Sequence, residues 1–295
     1  MNKKCFVKEA SVLLILVLML SSVGVMAANT QFQTSGSFVV EAYGTTWYVP
    51  DDFPTIQEAI DSESVNDGDT IYVRSGTYYE DIDVDKSIKL IGENKETTII
   101  DADGENYAVD LIVDSVTISG FTIRDSTIAG IGAHNSGFDP PFTDQNTITD
   151  NIITNNENGI LLYQTEFNTI TGNTITDNHV YGIWLSWTEF NTITGNTITD
   201  NGYYGIRLFY SSDNIIGGDT DDLKNNIEDH SIGIYIEGCL YYKVTLMKNN
   251  IFEGNTVNIW GAIPKVDQSS QQFSQFSSSL FFQIFQILQR LLNIR

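Results

Sequence analysis

Residues 146–167 read NTITDNIITNNENGILLYQTEF, residues 168–190 read NTITGNTITDNHVYGIWLSWTEF, and residues 191–213 read NTITGNTITDNGYYGIRLFYSSD. One unit of 22 or 23 residues is written three times. Self-similarity at a fixed period marks a solenoid, and helical repeats need roughly 33–47 residues rich in helix formers. These units instead hold short β-branched runs separated by Asn and Gly. One unit therefore makes one coil of short strands. A leucine-rich repeat has a similar period, but its L-x-x-L-x-L pattern is missing. The expected fold is all-β: a single-stranded right-handed parallel β-helix of about eight coils.

Aligning the copies predicts which side chains face inward. Four columns follow: Ile148, Ile170, Ile193 and Ile215; Ile153, Ile175 and Ile198; Ile160, Ile183, Ile206 and Ile234; Leu162, Leu185, Leu208 and Ile236. Asn151, Asn173 and Asn196 form a further column, as do Asn146, Asn168, Asn191 and Asn214. Asn at a corner tolerates unusual backbone angles, and its amide can bond to the Asn above and below.

Upstream, Thr55 and Glu58 fit a capping box, and Ile56, Ala59 and Ile60 share one face. A short helix at 55–62 is expected to cap the first coil, whose open edge would otherwise invite pairing. Strands are expected at 69–73, 87–91, 97–101, 108–113 and 116–123. Lys3, Lys4 and Lys8 precede the apolar run VLLILVLML and then small residues near Ala27 and Ala28. Residues 1–28 read as a signal peptide, with an uncleaved anchor as the alternative. The divisions that follow are a leader (29–46), the β-helix (47–263), a Gln/Ser linker (264–279) and an amphipathic C-terminal helix (280–295). Export then places the protein outside the cell, on its surface or in a periplasm.

The net charge of −23 comes from 15 basic and 38 acidic residues. That balance excludes a nucleic-acid role, which needs a basic footprint. With Cys5 in the signal peptide, Cys239 is the one cysteine left in the mature chain, so no internal disulfide and no multi-cysteine zinc site is expected there.

The opening VPDDFPTIQEAI (49–60), the segment NDGDTIYVRSGTYYEDIDVDKSIKLIGE (66–93) and the repeats together resemble the pectin-lyase-like right-handed β-helix superfamily. Within it they are similar to NosD-type copper-site accessory proteins and CASH-type repeats, including archaeal surface proteins. The resemblance covers about residues 47–261 and implies the fold more than any activity.

Three functions compete. The first is non-catalytic binding of a polysaccharide or other glycan. Leu161, Trp184, Arg207 and Tyr235 alternate with the inward columns, and Trp187, Tyr204 and Tyr210 lie close by. Exposed aromatics on successive rungs offer flat apolar surface to sugar rings. The second is a polysaccharide-processing enzyme: a lyase, hydrolase or esterase. Its candidates are Asp200, Arg207, Asp221 and Asp222, since paired acids suit glycoside chemistry. The acids Asp177, Asp200, Glu166 and Glu189 recur by copying, which weakens them as catalytic evidence. The third is a structural or assembly component. Asp219, Asp221 and Asp222 crowd one loop and are the best candidates for Ca²⁺. The resemblance also raises copper, for which the available histidines are His134, His179 and His230. The spacing puts His179 and His230 two rungs apart, ~10 Å, too far to share one ion.

In 280–295, Phe281, Ile284, Phe285, Leu288, Leu291 and Leu292 fall on one helical stripe. That helix could cap the last coil, lie on a membrane surface, or dock on a protein partner. Deleting 265–295 is predicted to release the protein from cells if the helix is a surface anchor. Unchanged cell association in a fractionation assay would rule the anchor out.

Overall fold

A computed structural model of the protein describes residues 44–134, 144–238 and 246–261. The signal peptide, the linker and the C-terminal helix lie outside these residues. The described chain winds as a right-handed parallel β-helix with three parallel sheets. Sheet 1 has nine strands, from Thr46–Val49 to Leu246–Lys248. Sheet 2 has eight, from Gly76–Tyr79 to Ile251–Glu253. Sheet 3 has eight, from Ile82–Val84 to Val257–Gly261. From Thr70 onward each described turn visits sheets 1, 2 and 3 in that order, while the first passes from Thr46–Val49 through a helix straight back to sheet 1.

Alternation along each strand sends one set of side chains inward, and parallel pairing stacks that set on itself every ~4.8 Å. Ile148, Ile170 and Ile193 are in register, as are Ile153, Ile175 and Ile198. On sheet 3, Ile160, Ile183, Ile206 and Ile234 run beside Leu162, Leu185, Leu208 and Ile236. All of these are buried in one continuous core. Each such burial is worth about 1.5–3 kcal/mol before the entropy of ordering. One member of the expected columns changes. Ile216, not Ile215, continues the column of Ile193, and Ile215 pairs with Thr192 and is exposed. The cause is Asn214, which holds its place in the Asn column and so sets the register of the two residues after it.

Helix α1 (Ile56–Asp61) closes the first coil with Ile56, Ala59 and Ile60 fully buried. The Thr55 hydroxyl caps it by accepting from the Glu58 N–H at 3.1 Å. The free N–H groups of Ile56 and Gln57 are taken by the Glu80 carboxylate of the next coil, at 3.1 and 2.9 Å. The expected strand at 116–123 is in fact two, Thr117–Ser119 in sheet 1 and Thr122–Arg124 in sheet 2. Gly120 makes the corner between them at φ +83°, and a Cβ there would lie 2.4 Å from the Gly92 carbonyl oxygen. Gly76–Tyr79 and Ile82–Val84 are strands that the sequence reading missed, because GTYYEDIDV carries little of the β-branched density of the later coils.

Three asparagine ladders run along the corners. Before sheet 1, the N–H of Asn146, Asn168 and Asn191 each donates to the side-chain oxygen of the next ladder Asn, at 2.9–3.0 Å. The second runs Asn151, Asn173, Asn196, Asn225 and Asn250. The third, unexpected from the alignment, runs Asn156, Asn178 and Asn201 to His230 and Asn255. The Nδ2 groups also donate to corner carbonyls, as Asn151 does to Ile118 and Thr149. Buried peptide groups that the sheets leave over are thereby satisfied. The ladder residues are not the ones with unusual backbone angles. Positive φ belongs to the residue just before nearly every one, such as Asp150, Gly172 and Gly195, or Asn155, Asp177 and Asp200; Lys224, before Asn225, is the exception at φ −73°. A side chain in that left-handed region costs about 1–2 kcal/mol, least for Asn and Asp.

His230 substitutes for an Asn in the third ladder and is buried. Burial pushes its pKa down to about 4, against weaker upward pulls from Asn255 and Asp229. The folded state thus resists a proton that the unfolded chain accepts near its ordinary value of 6.5. The sign follows: stability is full above pH 6.5 and is lost as the pH falls towards 4, by up to about 3 kcal/mol. His230→Asn should restore the uncharged ladder and flatten the dependence of Tm on pH in that window. An equally acid-labile variant would refute this origin. Asn168→Leu should cost about 1–3 kcal/mol, since it strands the buried Asn146 N–H. A melting temperature equal to that of the wild type would show that the ladder is not stabilising.

Candidate functional site

Sheet 3 contains the longest strands, six residues each in Asn158–Tyr163, Tyr181–Ser186, Tyr204–Phe209 and Ile232–Glu237. Its outward side therefore carries several side-chain columns. The middle one runs Asp83, Asp110, Gly132, Leu161, Trp184, Arg207, Tyr235 and Trp260. Beside it run Asn158, Tyr181, Tyr204 and Ile232. All six residues expected to bind ligand lie here: Trp184, Arg207, Tyr204 and Tyr235 on this face, and Trp187 and Tyr210 at its edge.

The face is tightly organised. Tyr181 stacks on Tyr204 at 5.2 Å and 6°, and Tyr204 stacks on Tyr235 at 4.6 Å and 10°. Trp184 meets Tyr181 edge-on at 5.6 Å. The Arg207 guanidinium lies 5.1 Å from the ring centres of Tyr181 and Trp184 and 5.3 Å from that of Phe209. It donates to the Tyr181 hydroxyl at 2.9 Å and to Glu237 at 3.3 Å. Burial, with Tyr181 and Tyr235 alongside, raises the pKa of the Tyr204 phenol. Arg207 is committed to holding rings in place by cation–π contact and hydrogen bonding.

At the edge of sheet 3, two further pairs stack in the turns that lead back to sheet 1. Trp187 lies on Tyr210 at 4.4 Å and 3°, and Phe167 lies on Phe190 at 5.1 Å and 9°. The second pair was not singled out from the sequence. Its one signal in the sequence is the Thr-Glu-Phe shared by two repeats, at 165–167 and 188–190.

The suggested catalytic set is not brought together. Asp200 sits at the corner after sheet 2, at φ +54°. Arg207 is in mid-strand on sheet 3. Asp221 and Asp222 lie in a 3-10 turn, Asp221–Leu223, between sheets 1 and 2. Of the Ca²⁺ candidates, Asp221 is paired with Lys224 at 2.5 Å and Asp219 with Lys248 at 3.0 Å. The Lys224 ammonium holds the Asp221 carboxyl below its ordinary pKa. Among the described residues no three His, Cys, Asp or Glu side chains are grouped as a metal would require.

The other end of the middle column carries chemistry that strand alternation alone did not reveal. The Asp110 carboxylate and His134 Nε2 are 2.8 Å apart, and the Tyr107 ring lies 5.6 Å from the imidazole. The hydrogen bond to Asp110 raises the pKa of His134 above its ordinary value, outweighing burial. Asp83, one rung before, is raised by burial and then by the charge of Asp110. The corner between sheets 2 and 3 also holds a cleft of about 500 Å³ lined by Asp101, Asp103, Asp125, Glu157 and His179.

The family model described as periplasmic copper-binding protein (NosD) matches residues 62–272. No curated relative matches the chain by sequence. Among solved structures, the chain is similar to a protein titled Geobacillus virus E2 ORF18 at 17% identity and TM-score 0.40. It is also similar to a mutant of the PL6 family alginate lyase AlyGC at 12% identity and TM-score 0.43. Pectin methylesterase from Aspergillus niger follows at 14% identity and TM-score 0.42. These matches cover 63%, 73% and 75% of this chain. The chain spans 34% of the viral protein, 39% of the lyase and 87% of the esterase.

Copper, which the family description names, does not fit the described residues. Both ring nitrogens of His230 are used in the ladder, Nε2 with Asn201 and Nδ1 with Asn255. His134 Nε2 is engaged by Asp110 on sheet 3, and His179 lies at the separate corner between sheets 2 and 3. Cys239 lies outside the described residues. With a right-handed parallel β-helix and a family match spanning most of its length, the chain belongs to the NosD family of periplasmic β-helix proteins.

Proposed function

We propose that this is an exported β-helix protein that binds polysaccharide along the outward aromatic surface of sheet 3, without catalysing its turnover. The observation that carries the reading is the stack of parallel rings on consecutive rungs, Tyr181, Tyr204 and Tyr235, continued at the edge by Trp187 and Tyr210. A linear polymer laid along the solenoid axis meets equivalent rings at each ~4.8 Å step. Sugar C–H groups can pack against the outward edges of such rings while their hydroxyls bond to flanking polar groups. The separation of Asp200, Arg207 and Asp221 onto different parts of the coil favours binding over catalysis.

A second reading, a polysaccharide-processing enzyme, is favoured by one specific arrangement. Asp110, His134 and Asp83 lie on the same outward face, and perturbed titratable groups gather at reactive sites. Trp184→Ala combined with Trp187→Ala is expected to weaken polysaccharide binding at least tenfold in affinity gel electrophoresis, or about 1.4 kcal/mol. Retained binding would remove the aromatic surface from consideration. Release of reducing ends or unsaturated products by the wild type would establish the enzyme reading instead.

A further inference from the structure

We infer that the primary sugar-contacting platform is the turn between sheets 3 and 1, formed by Phe167, Trp187, Phe190 and Tyr210, and that its ligand is an uncharged polysaccharide. This rests on the polysaccharide-binding reading and replaces the centre of the face with its edge. Backbone conformation carries the choice. Each of these turns has two left-handed positions, one just after the sheet 3 strand and one just before the ladder Asn. The first is filled along the solenoid by Gln164, Trp187, Tyr210 and Gly238, and the second by Ser115, Gln145, Phe167, Phe190 and Asp213. Every other positive-φ residue among those described is Gly, Asn or Asp. Aromatics occupy this unfavourable conformation at four places, all in three consecutive turns. The fold does not require them, since Gln, Gly, Ser and Asp serve at the same positions one or two rungs away. Bulky residues held in this region point to function rather than to packing.

The rings themselves agree. Phe167, Trp187, Phe190 and Tyr210 are 52, 51, 43 and 44% exposed, whereas Tyr181, Tyr204 and Trp184 in mid-face are half-buried against one another and Arg207. They form two rows, Trp187 on Tyr210 and Phe167 on Phe190, one at each end of the turn. Between the rows lie Glu166, Glu189 and Ser212, paired in register along the axis, with the Ser212 hydroxyl donating to Glu189 at 3.2 Å. Rows of apolar ring edges beside a strip of carboxylates and hydroxyls match a pyranose polymer, whose C–H groups can pack on the rings while its hydroxyls donate to the strip. The same carboxylates, in a chain of net charge −23, repel a polyuronate, so the matching polymer is neutral.

The test exchanges the aromatics for the residues that neighbouring rungs use. Trp187→Gln copies Gln164, and Phe190→Asp copies Asp213. The full chain is run in affinity gels containing glucomannan, arabinoxylan, mixed-linkage β-glucan or polygalacturonate, and its Tm is measured in parallel. The expected result for the double variant is an at least tenfold weaker affinity for a neutral polymer with Tm unchanged or raised, because the backbone penalty is relieved. The wild type should not be retarded by polygalacturonate. A Tyr204→Leu variant reports on the mid-face and should lose less affinity than the double variant. Wild-type affinity in the double variant, or a lowered Tm with affinity kept, would mean the edge rings are structural and overturn the inference. Loss of binding in Tyr204→Leu alone would overturn it too, while leaving polysaccharide binding by the face intact. Binding to polygalacturonate alone would overturn the charge assignment. No retardation in any polymer would remove the polysaccharide reading and this inference together.

Discussion

A buried corner amide that hands its hydrogen bond to the next rung is the contact on which the rest of this molecule depends. Parallel strands of three residues satisfy little of their own backbone, and each coil must turn three times. At every turn, peptide groups left over by the sheets face the interior, where an unmade bond costs about 1–3 kcal/mol. The Asn side chain supplies an acceptor to the rung before it and donors to the adjacent carbonyls. Because one ladder Asn must lie over the next, the ladders also set the register of every strand that follows them. Ile216 rather than Ile215 enters the core for that reason alone.

Register then determines the surface. With the inward columns fixed, alternation leaves Trp184, Arg207 and Tyr235 aligned on the outside of sheet 3. Turn positions are fixed in the same way, so a residue type placed there recurs at ~4.8 Å intervals. A solenoid of this kind converts a repeat in sequence into a linear array in space, suited to a polymeric ligand. The same copying explains acids at the corner after sheet 2, where Asp125, Asn155, Asp177, Asp200 and Asp229 all hold left-handed backbone. Those acids report on turn geometry, and their periodicity says nothing about catalysis.

Departures from the repeat are where function and tuning enter. His230 takes an Asn place in a ladder and introduces a buried base into an otherwise uncharged column. Asp110 and His134 pair on the outer face in coils that precede the regular copies. The aromatic residues of three successive turns occupy a conformation that neighbouring coils fill with Gln, Gly, Ser or Asp. None of these breaks the fold, because each leaves the inward columns and most of the ladder bonds in place.

The period of 22 or 23 residues and the alternation of Ile and Thr determined the fold class, the core columns apart from Ile216 and two of the three ladders, and the Thr55–Glu58 capping box determined the helix. These follow from local pattern, since each rung contacts chiefly the copy of itself one period away. The tertiary structure decided what periodicity cannot express. It showed that positive φ falls on the residue before the ladder Asn, and that two strands hide in GTYYEDIDV. It showed too that Arg207 is held among rings rather than beside Asp200 or Asp221. Each of these depends on the direction in which a corner turns and on what lies across it from another rung. That information resides in the winding of the chain and not in the spacing of its letters.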